Sequence, residues 1–368
     1  MTQSRLDRII SILNESELDA LVLNPGASLY YLSGFHFHLM ERPIVLFIPR
    51  SGTPALVLPA LEMLKVQDML IQVEPFPYGD NPATWQVSFR KALDFLGLKK
   101  CRIGIEPTCL RALEMNYLQN ALPDAAFPDA SPQLSKWRIC KDAEEISSIR
   151  RAVEIAETAL TVTLPFIHVG VTEKEISTEL SLQLIRAGSD LNMAFQPIVA
   201  GGPNSANPHA EPSSRKLVHG DLLVIDWGAV YNGYVSDITR TFAVGDVDPE
   251  FKQIAAVTAE ANSAGRVACR PGIPAGEIDL VTRKVIQARG YGEYFTHRTG
   301  HGIGLEGHEP PYIFSENSLV LKPGMVFTIE PGIYLPGRNG VRIEDNIVIT
   351  PDGAETLSSL PRDLHVLA

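Results

Sequence analysis

Residues 224–241, VIDWGAVYNGYVSDITRT, read as two strands joined at Asn232-Gly233. Asn-Gly favours a two-residue type I′ loop, because both central positions take positive φ. In that loop Tyr231 opposes Tyr234 and Gly228 opposes Asp237, so Asp226 shares a face with Asp237, one diagonal step away. Diagonal neighbours have Cβ atoms roughly 7–8 Å apart. That separation suits two carboxylates gripping cations about 3.5–4 Å apart. Gly228 is expected to leave open space opposite Asp237. The apolar run LLVID (222–226) points to a buried face rather than a solvated one.

Three later segments add to this pair: HRTGHGIG (297–304) carries His301, FTIEPGIY (327–334) carries Glu330, and VRIEDNIVIT (341–350) carries Glu344. Four carboxylates on segments that read as buried repel one another and are costly to desolvate without cations. Two divalent ions would match the four charges. One histidine among four carboxylates makes an oxygen-rich site that suits Mn²⁺, Co²⁺, Zn²⁺ or Fe²⁺. Gly300, Gly302 and Gly304 argue against a helix through His297 and His301, and Arg298 breaks the zinc-protease pattern HExxH. GIGLEG (302–307) matches GxGxxG, but it runs into HEPP, which starts no helix. Alternation in VRIEDNIVIT puts Arg342 and Glu344 on one face, where Arg342 could hold the carboxylate's orientation.

The C-terminal part reads as a diverged internal repeat. GVTEKEI (170–176) and GIPAGEI (272–278) each follow one long helix and begin another. Thr172 and Glu175 form a capping box in the first. Each half is expected to end in a hairpin with an Asn-Gly turn, at 232–233 and at 339–340, so that each supplies two carboxylates to one shared site.

The first ~130 residues alternate strand and helix signals, which predicts an α/β layer with a mostly covered sheet. Strands are expected at DALVLN, RPIVLFIP, PALVLP, LIQVEP and CRIGIE, and helices at 4–17, 83–97 and 109–121. The Pro/Ser-rich stretch PDAAFPDASPQLSKW (123–137) reads as a linker. The expected domains are 1–133 and 134–368: an α/β N-terminal domain, then an α+β domain with internal duplication. The chain has 368 residues, 45% hydrophobic and 20% charged, enough for two cores. A net charge of −11 argues against a nucleic-acid groove. No apolar run approaches the roughly 18–20 residues of a membrane span. The N-terminus lacks a signal-peptide pattern, so a cytoplasmic location is expected. The four cysteines form no CxxC pair and are read as reduced.

Together these segments resemble the pita-bread metallopeptidases, the group that includes methionine aminopeptidase, aminopeptidase P and prolidase. YLSGF and ERPIVLFIP resemble the creatinase-type N-terminal domain; PNSANPHAEPSSRKLVHGDLLVIDWGAVYNGYVSDITRTF, HRTGHGIGLEGHEPP, GMVFTIEPGIY and VRIEDNIVIT resemble the pita-bread catalytic domain. The resemblance implies two divalent ions held by Asp226, Asp237, His301, Glu330 and Glu344, with Asp237 and Glu344 bridging. It implies substrate contacts for His209 and His308 and an outer-site role for His297. It also implies proton-relay positions at Tyr334 and Arg342, and a proton-accepting role for Glu330. The implied activity is hydrolysis of the Xaa-Pro bond, in dipeptides or at peptide N-termini, by a metal-bridging hydroxide. The implied partners are a small peptide substrate and a second copy in a homodimer. Many prolidases carry an arginine shortly after the His-Glu pair, where it could bind a dipeptide carboxylate. Here Tyr312 stands at that point, and Arg338 or Arg42 could substitute. Creatinase-like chemistry and a non-enzymatic binding scaffold are the alternatives on the same fold.

Overall fold

The computed structural model describes residues 2–367. The chain divides into two compact units between Arg138 and Ile139. Among the described residues, no helix is long and apolar enough to cross a membrane.

The first unit holds strands β1 (Ala20–Leu23), β2 (Val45–Pro49), β3 (Ala55–Pro59), β4 (Glu74–Tyr78) and β5 (Ile103–Gly104) in the order β4-β3-β2-β1-β5. The sheet is mixed: β1 runs antiparallel to β2 and parallel to β5. Every residue of β1, β2 and β3 is buried, as continuous apolar runs require when both faces are covered. Helices α1 (Thr2–Asn14), α2 (Ala27–Ser33), α3 (Met63–Val66), α4 (Trp85–Phe95), α5 (Ala112–Ala121) and α6 (Ser131–Arg138) complete the unit.

Two expectations fail here. The strand expected at LIQVEP begins only at Glu74. The expected linker ends in a helix, α6, and a boundary after Gln133 would cut it. Pro132 lies in the first turn of α6, where a missing N–H costs nothing. Trp137 anchors this helix: it is buried, its indole N–H donates to the Arg5 carbonyl at 2.9 Å, and its ring meets Tyr31 edge-on.

The second unit contains helices α7 (Ala143–Thr163), α8 (Glu173–Arg186), α9 (Pro249–Ala268) and α10 (Ala275–Ala288). Its first-half strands are β6 (Ile198–Gly201), β7 (Leu222–Trp227), β8 (Val230–Tyr231), β9 (Tyr234–Val235) and β10 (Ile238–Val244). The second half supplies β11 (Gly300–Gly302), β12 (Glu309–Ile313), β13 (Val326–Ile329), β14 (Gly332–Tyr334), β15 (Gly340–Arg342), β16 (Asp345–Thr350), β17 (Gly353–Thr356) and β18 (His365–Leu367). Two sheets, β18-β10-β7-β6 and β12-β11-β13-β16-β17, meet where Thr239 bridges Glu344. GVTEKEI and GIPAGEI open α8 and α10, and the Thr172–Glu175 capping box is present.

The last residues are lashed to the strand that follows Glu344. Arg240 donates to the carbonyls of Leu360 and Pro361 and pairs with Asp345 at 2.9 Å. Arg362 reaches the same buried Asp345 at 2.8 Å.

Candidate metal centre

The first hairpin has the expected register. Asn232 and Gly233 have φ of 52° and 78°, and Tyr231 pairs Tyr234. Further along, Trp227 pairs Ile238 and Asp226 pairs Thr239 in the same register. Asp226 is therefore diagonal to Asp237. The hairpin is fixed to α7 by two bonds: Trp227 Nε1 to the Ala156 carbonyl at 2.8 Å, and the Tyr234 hydroxyl to Glu145 at 2.7 Å. Gly228 does not leave open space. A Cβ there would lie 1.9 Å from the Ser236 carbonyl oxygen and 3.1 Å from the Phe195 ring, so glycine serves close approach.

The second hairpin turns elsewhere than expected. Gly332 pairs Arg342 and Tyr334 pairs Gly340, so the loop is Leu335–Asn339, with Gly337 at φ 72°. Asn339-Gly340 is used for packing instead. The Asn339 side-chain oxygen accepts from Leu222 N at 2.8 Å, and a Cβ on Gly340 would lie 2.0 Å from the Ser205 carbonyl oxygen. Extending the β14–β15 register still sets Glu330 opposite Glu344.

The alternate glycines around His301 have the same steric origin. A Cβ at Gly300 would meet the Thr328 carbonyl oxygen at 1.9 Å, and at Gly302 the Pro310 carbonyl at 2.4 Å. At Gly304 it would meet the Glu309 carboxylate at 2.6 Å. These glycines let β12 and β13 close on the strand that carries His301; none cradles a phosphate. Glu309 is itself held by Lys141, Nζ to Oε1 at 2.6 Å, with both side chains buried.

The structure brings the five acid and imidazole side chains together. Ligand-capable atoms of Asp226, Asp237 and Glu344 lie within 4.8 Å of one another, as do those of His301, Glu330 and Glu344. His308 shares the same spacing with Asp237 and His301, and its ring centroid is 3.8 Å from that of His301. Burial, then the charge of Glu344, pushes Asp237 well above the ordinary carboxylate range. Burial and the charge of Glu330 do the same to Glu344. Burial raises Glu330 to about 8. Burial, then His308, holds His301 well below its usual value, so its imidazole is neutral.

These residues fit a divalent cation. Asp226 Oδ1 and Glu344 Oε1 are buried oxygens with no hydrogen-bond partner, a costly state unless another group satisfies them. His301 Nδ1 donates to the Gly302 carbonyl at 3.2 Å. The lone pair on Nε2 then faces Glu330 at 3.4 Å and Asp237 at 3.6 Å. Once those carboxylates are ionised, the lone pair faces negative oxygens, and a cation between them removes that repulsion.

A buried network surrounds the cluster. Arg342 pairs with Asp226 at 2.6 Å and donates to Thr239, whose hydroxyl donates to Glu344 at 2.7 Å. Arg342 therefore orients Asp226 directly and Glu344 through Thr239. It also donates to the Tyr334 hydroxyl at 3.0 Å. His297 Nδ1 donates to the Arg298 carbonyl at 2.8 Å, so Nε2 accepts from Tyr334 at 2.9 Å. Burial lowers His297 to about 4 and raises Tyr334 to about 12, which keeps both neutral. His209 lines the cavity from an exposed loop. That loop is fixed by the buried Glu173 carboxylate, which accepts from Gly201 N, Asn204, and the amide and hydroxyl of Ser213.

The cluster opens into a cavity of about 720 Å³ whose lining includes His209, His297, His308 and Arg298. In the sequence Arg298 stands out only as the break in HExxH, not as a cavity-lining cation. Its guanidinium lies 4.4 Å over the Tyr312 ring and 3.4 Å from His308 Nδ1, and no carboxylate pairs with it among the described residues. Arg338 is instead paired with Glu250 at 2.7 Å and stacked on Phe251, and Arg42, in the first unit, pairs with Asp80 at 3.1 Å.

The model of Metallopeptidase family M24 matches residues 147–351, and that of the Creatinase/Prolidase N-terminal domain matches residues 5–140. The chain belongs to metallopeptidase family M24, with the pita-bread catalytic domain preceded by a creatinase-type domain. It is thus an enzyme of metal-dependent peptide hydrolysis. It is 35% identical to the Xaa-Pro dipeptidase of Lactobacillus helveticus over 98% of each chain. Among solved structures, it is similar to a dipeptidase of Pyrococcus horikoshii (TM-score 0.93, 39% identity, covering 99% of this chain and 100% of the other). It is likewise similar to a prolidase of Thermococcus sibiricus (TM-score 0.95, 33% identity, covering 100% and 99%).

Proposed function

We propose that the protein hydrolyses the Xaa-Pro bond of dipeptides, using two divalent cations, manganese favoured, held by Asp226, Asp237, His301, Glu330 and Glu344. One observation carries the dipeptide reading: an unpaired guanidinium, Arg298, lines the same cavity as the acid cluster. A dipeptide presents a free carboxylate on the residue just after its only peptide bond, and a guanidinium is the preferred partner for it. The names of the dipeptidase and prolidase relatives point the same way. Asp237 and Glu344, each common to two of the three-residue clusters, are the assigned bridging carboxylates.

When bound, the two ions supply a water acidified towards neutral pH and polarise the scissile carbonyl. The side chains do the rest. His308 accepts from Arg298 at Nδ1, so its proton is on Nε2, available to the carbonyl oxygen as negative charge develops. Glu330, beside His301, is placed to take a proton from water at Oε1 and return it to the leaving nitrogen. Like any amide nitrogen it must gain a proton to leave; in an Xaa-Pro bond it is also a tertiary amide that can donate no hydrogen bond. Tyr334 and Arg342 hold Asp226 and His297 in register.

The test is turnover of Ala-Pro, Ala-Pro-Ala and Ala-Ala by protein loaded with Mn²⁺ or Co²⁺, with metal content measured. Cleavage of Ala-Pro well above the others is expected. A preference for Ala-Pro-Ala would favour an aminopeptidase. Inactivity on all three would favour a binding scaffold.

A further inference from the structure

We infer that the buried ion pair of Asp279 and Arg283 on α10 positions Arg298, and so sets how tightly the site holds the free carboxylate of its substrate. The inference rests on the Xaa-Pro dipeptidase reading and deepens it. Most of residues 295–299 lie outside any helix or strand, so their backbone groups need partners elsewhere. Helix α10 supplies them. Arg283 Nη1 donates to the Phe295 carbonyl at 2.9 Å and Nη2 to the His297 carbonyl at 2.8 Å, with the guanidinium 4.3 Å over the Phe295 ring. Asp279 Oδ1 accepts from the Thr299 amide at 3.0 Å and from its hydroxyl at 2.7 Å. The peptide groups on both sides of Arg298 are therefore held by one pair, itself joined by two bonds of 3.1 Å. Fixing both peptides sets the direction in which the Arg298 side chain leaves the backbone, towards the cavity it lines.

A plain strut between helix and loop needs no charges. Asp279 is 1% exposed, and a buried carboxylate is costly even when paired. The internal repeat supplies a comparison within the chain. Aligned by GVTEKEI and GIPAGEI, Asp279 and Arg283 correspond to Ser177 and Ser181 of α8. Those hydroxyls donate to the Pro197 carbonyl and to the carbonyl of Ser177, so the first half of the duplication does without an ion pair at these positions. The pair stands in the half that carries Arg298. The Arg298 guanidinium itself rests on the Tyr312 ring and beside His308, contacts too weak to hold it in one direction unless its backbone is held. A misdirected guanidinium loses the two-point geometry of a carboxylate contact.

The experiment determines kcat and KM for Ala-Pro and for Ala-Pro-amide, which lacks the carboxylate, in metal-loaded wild type, Arg298→Met and Arg283→Met. Metal content is measured in each, because the Thr299 carbonyl also accepts from Glu330 N at 2.7 Å. Wild type is expected to prefer Ala-Pro by roughly 10- to 100-fold in kcat/KM, the range of a charge-assisted contact, and Arg298→Met to lose that preference. Arg283→Met should cut it about tenfold through a higher KM for Ala-Pro, with kcat, both constants for the amide and metal content nearly unchanged. An unchanged preference in Arg283→Met, or an equal loss on both substrates, overturns the positioning role and leaves the dipeptidase reading standing; so does an unchanged preference in Arg298→Met. Equal turnover of the two substrates by wild type, or turnover of neither, defeats both. Should Arg283→Met not fold, Arg283→Lys serves: it keeps a charge beside Asp279 but not the fork that spans two carbonyls, so a reduced preference supports the positioning role and a retained one refutes it.

Discussion

Replacing Lys141 by methionine should destabilise the second unit by about 3–5 kcal/mol, the usual cost of leaving one member of a buried ion pair without its opposite charge. The structure sets that magnitude. The Lys141 and Glu309 side chains are 2% and 4% exposed and 2.6 Å apart, so water cannot replace the lost ammonium. The lysine backbone is also tied down: its N–H donates to the Gly324 carbonyl at 2.8 Å. For a unit of this size each kcal/mol shifts Tm by about 2–4 °C, so the variant should melt roughly 6–20 °C lower. Glu309→Gln alone strands the ammonium and should cost a similar amount. The double variant Lys141→Met/Glu309→Gln removes both charges and should recover most of the loss, giving a coupling energy on the order of 3 kcal/mol or more. Calorimetry at fixed free Mn²⁺, following the transition of the second unit, measures all four corners of this cycle. Since Glu309 follows His308 and begins β12, the single variants should also lose turnover while keeping their metal. Additive single losses, or a Lys141→Met cost below about 1 kcal/mol, would refute the buried-pair reasoning.

Asp237→Ala should lose metal binding and turnover together, as elemental analysis beside an activity assay would register; two ions retained would contradict a bridging role. His308→Ala should lower kcat at least about tenfold with metal content intact, and loss of both ions there would make His308 a ligand. The raised carboxyls make the metal-free protein sensitive to alkali. Asp237, Glu344 and Glu330 bind protons in the fold that they release when unfolded, so stability falls as pH rises towards and through the folded values, about 8 for Glu330. Between pH 7 and pH 8 chelator-treated protein should lose roughly 1 kcal/mol or more, while Mn²⁺-loaded protein, with cations in place of protons, should show little of that slope by calorimetry.

The parts of the site that could be read in the sequence are those set by local geometry. Asn232-Gly233 forces a tight reversal, and its register carries unbroken to Asp226, so the diagonal pair of acids follows from a few adjacent residues. The same dipeptide at 339–340 misled, because Asn339 and Gly340 serve distant partners, Leu222 and Ser205, that no local pattern announces. Gly228 misled in the same way: the space left by its missing side chain is filled by Ser236 and Phe195. Pro132 belongs to the stretch that reads as a linker, yet it occupies the first turn of a helix, which tolerates proline. Arg298 is not picked out as a carboxylate partner in the sequence because spacing from the His-Glu pair leads to Tyr312. In the fold Tyr312 carries the arginine on its ring face.

The lashing of residues 358–367 behind the acid cluster bears on how the enzyme can be handled. A stop codon near Ser358 would remove the acceptors of Arg240 and the guanidinium of Arg362, leaving Asp345 with Arg240 at 2.9 Å and Arg266 at 3.7 Å of its former three cations. Because Glu344 is the neighbouring residue, a chain clipped far from its substrate would come out of purification poor in metal.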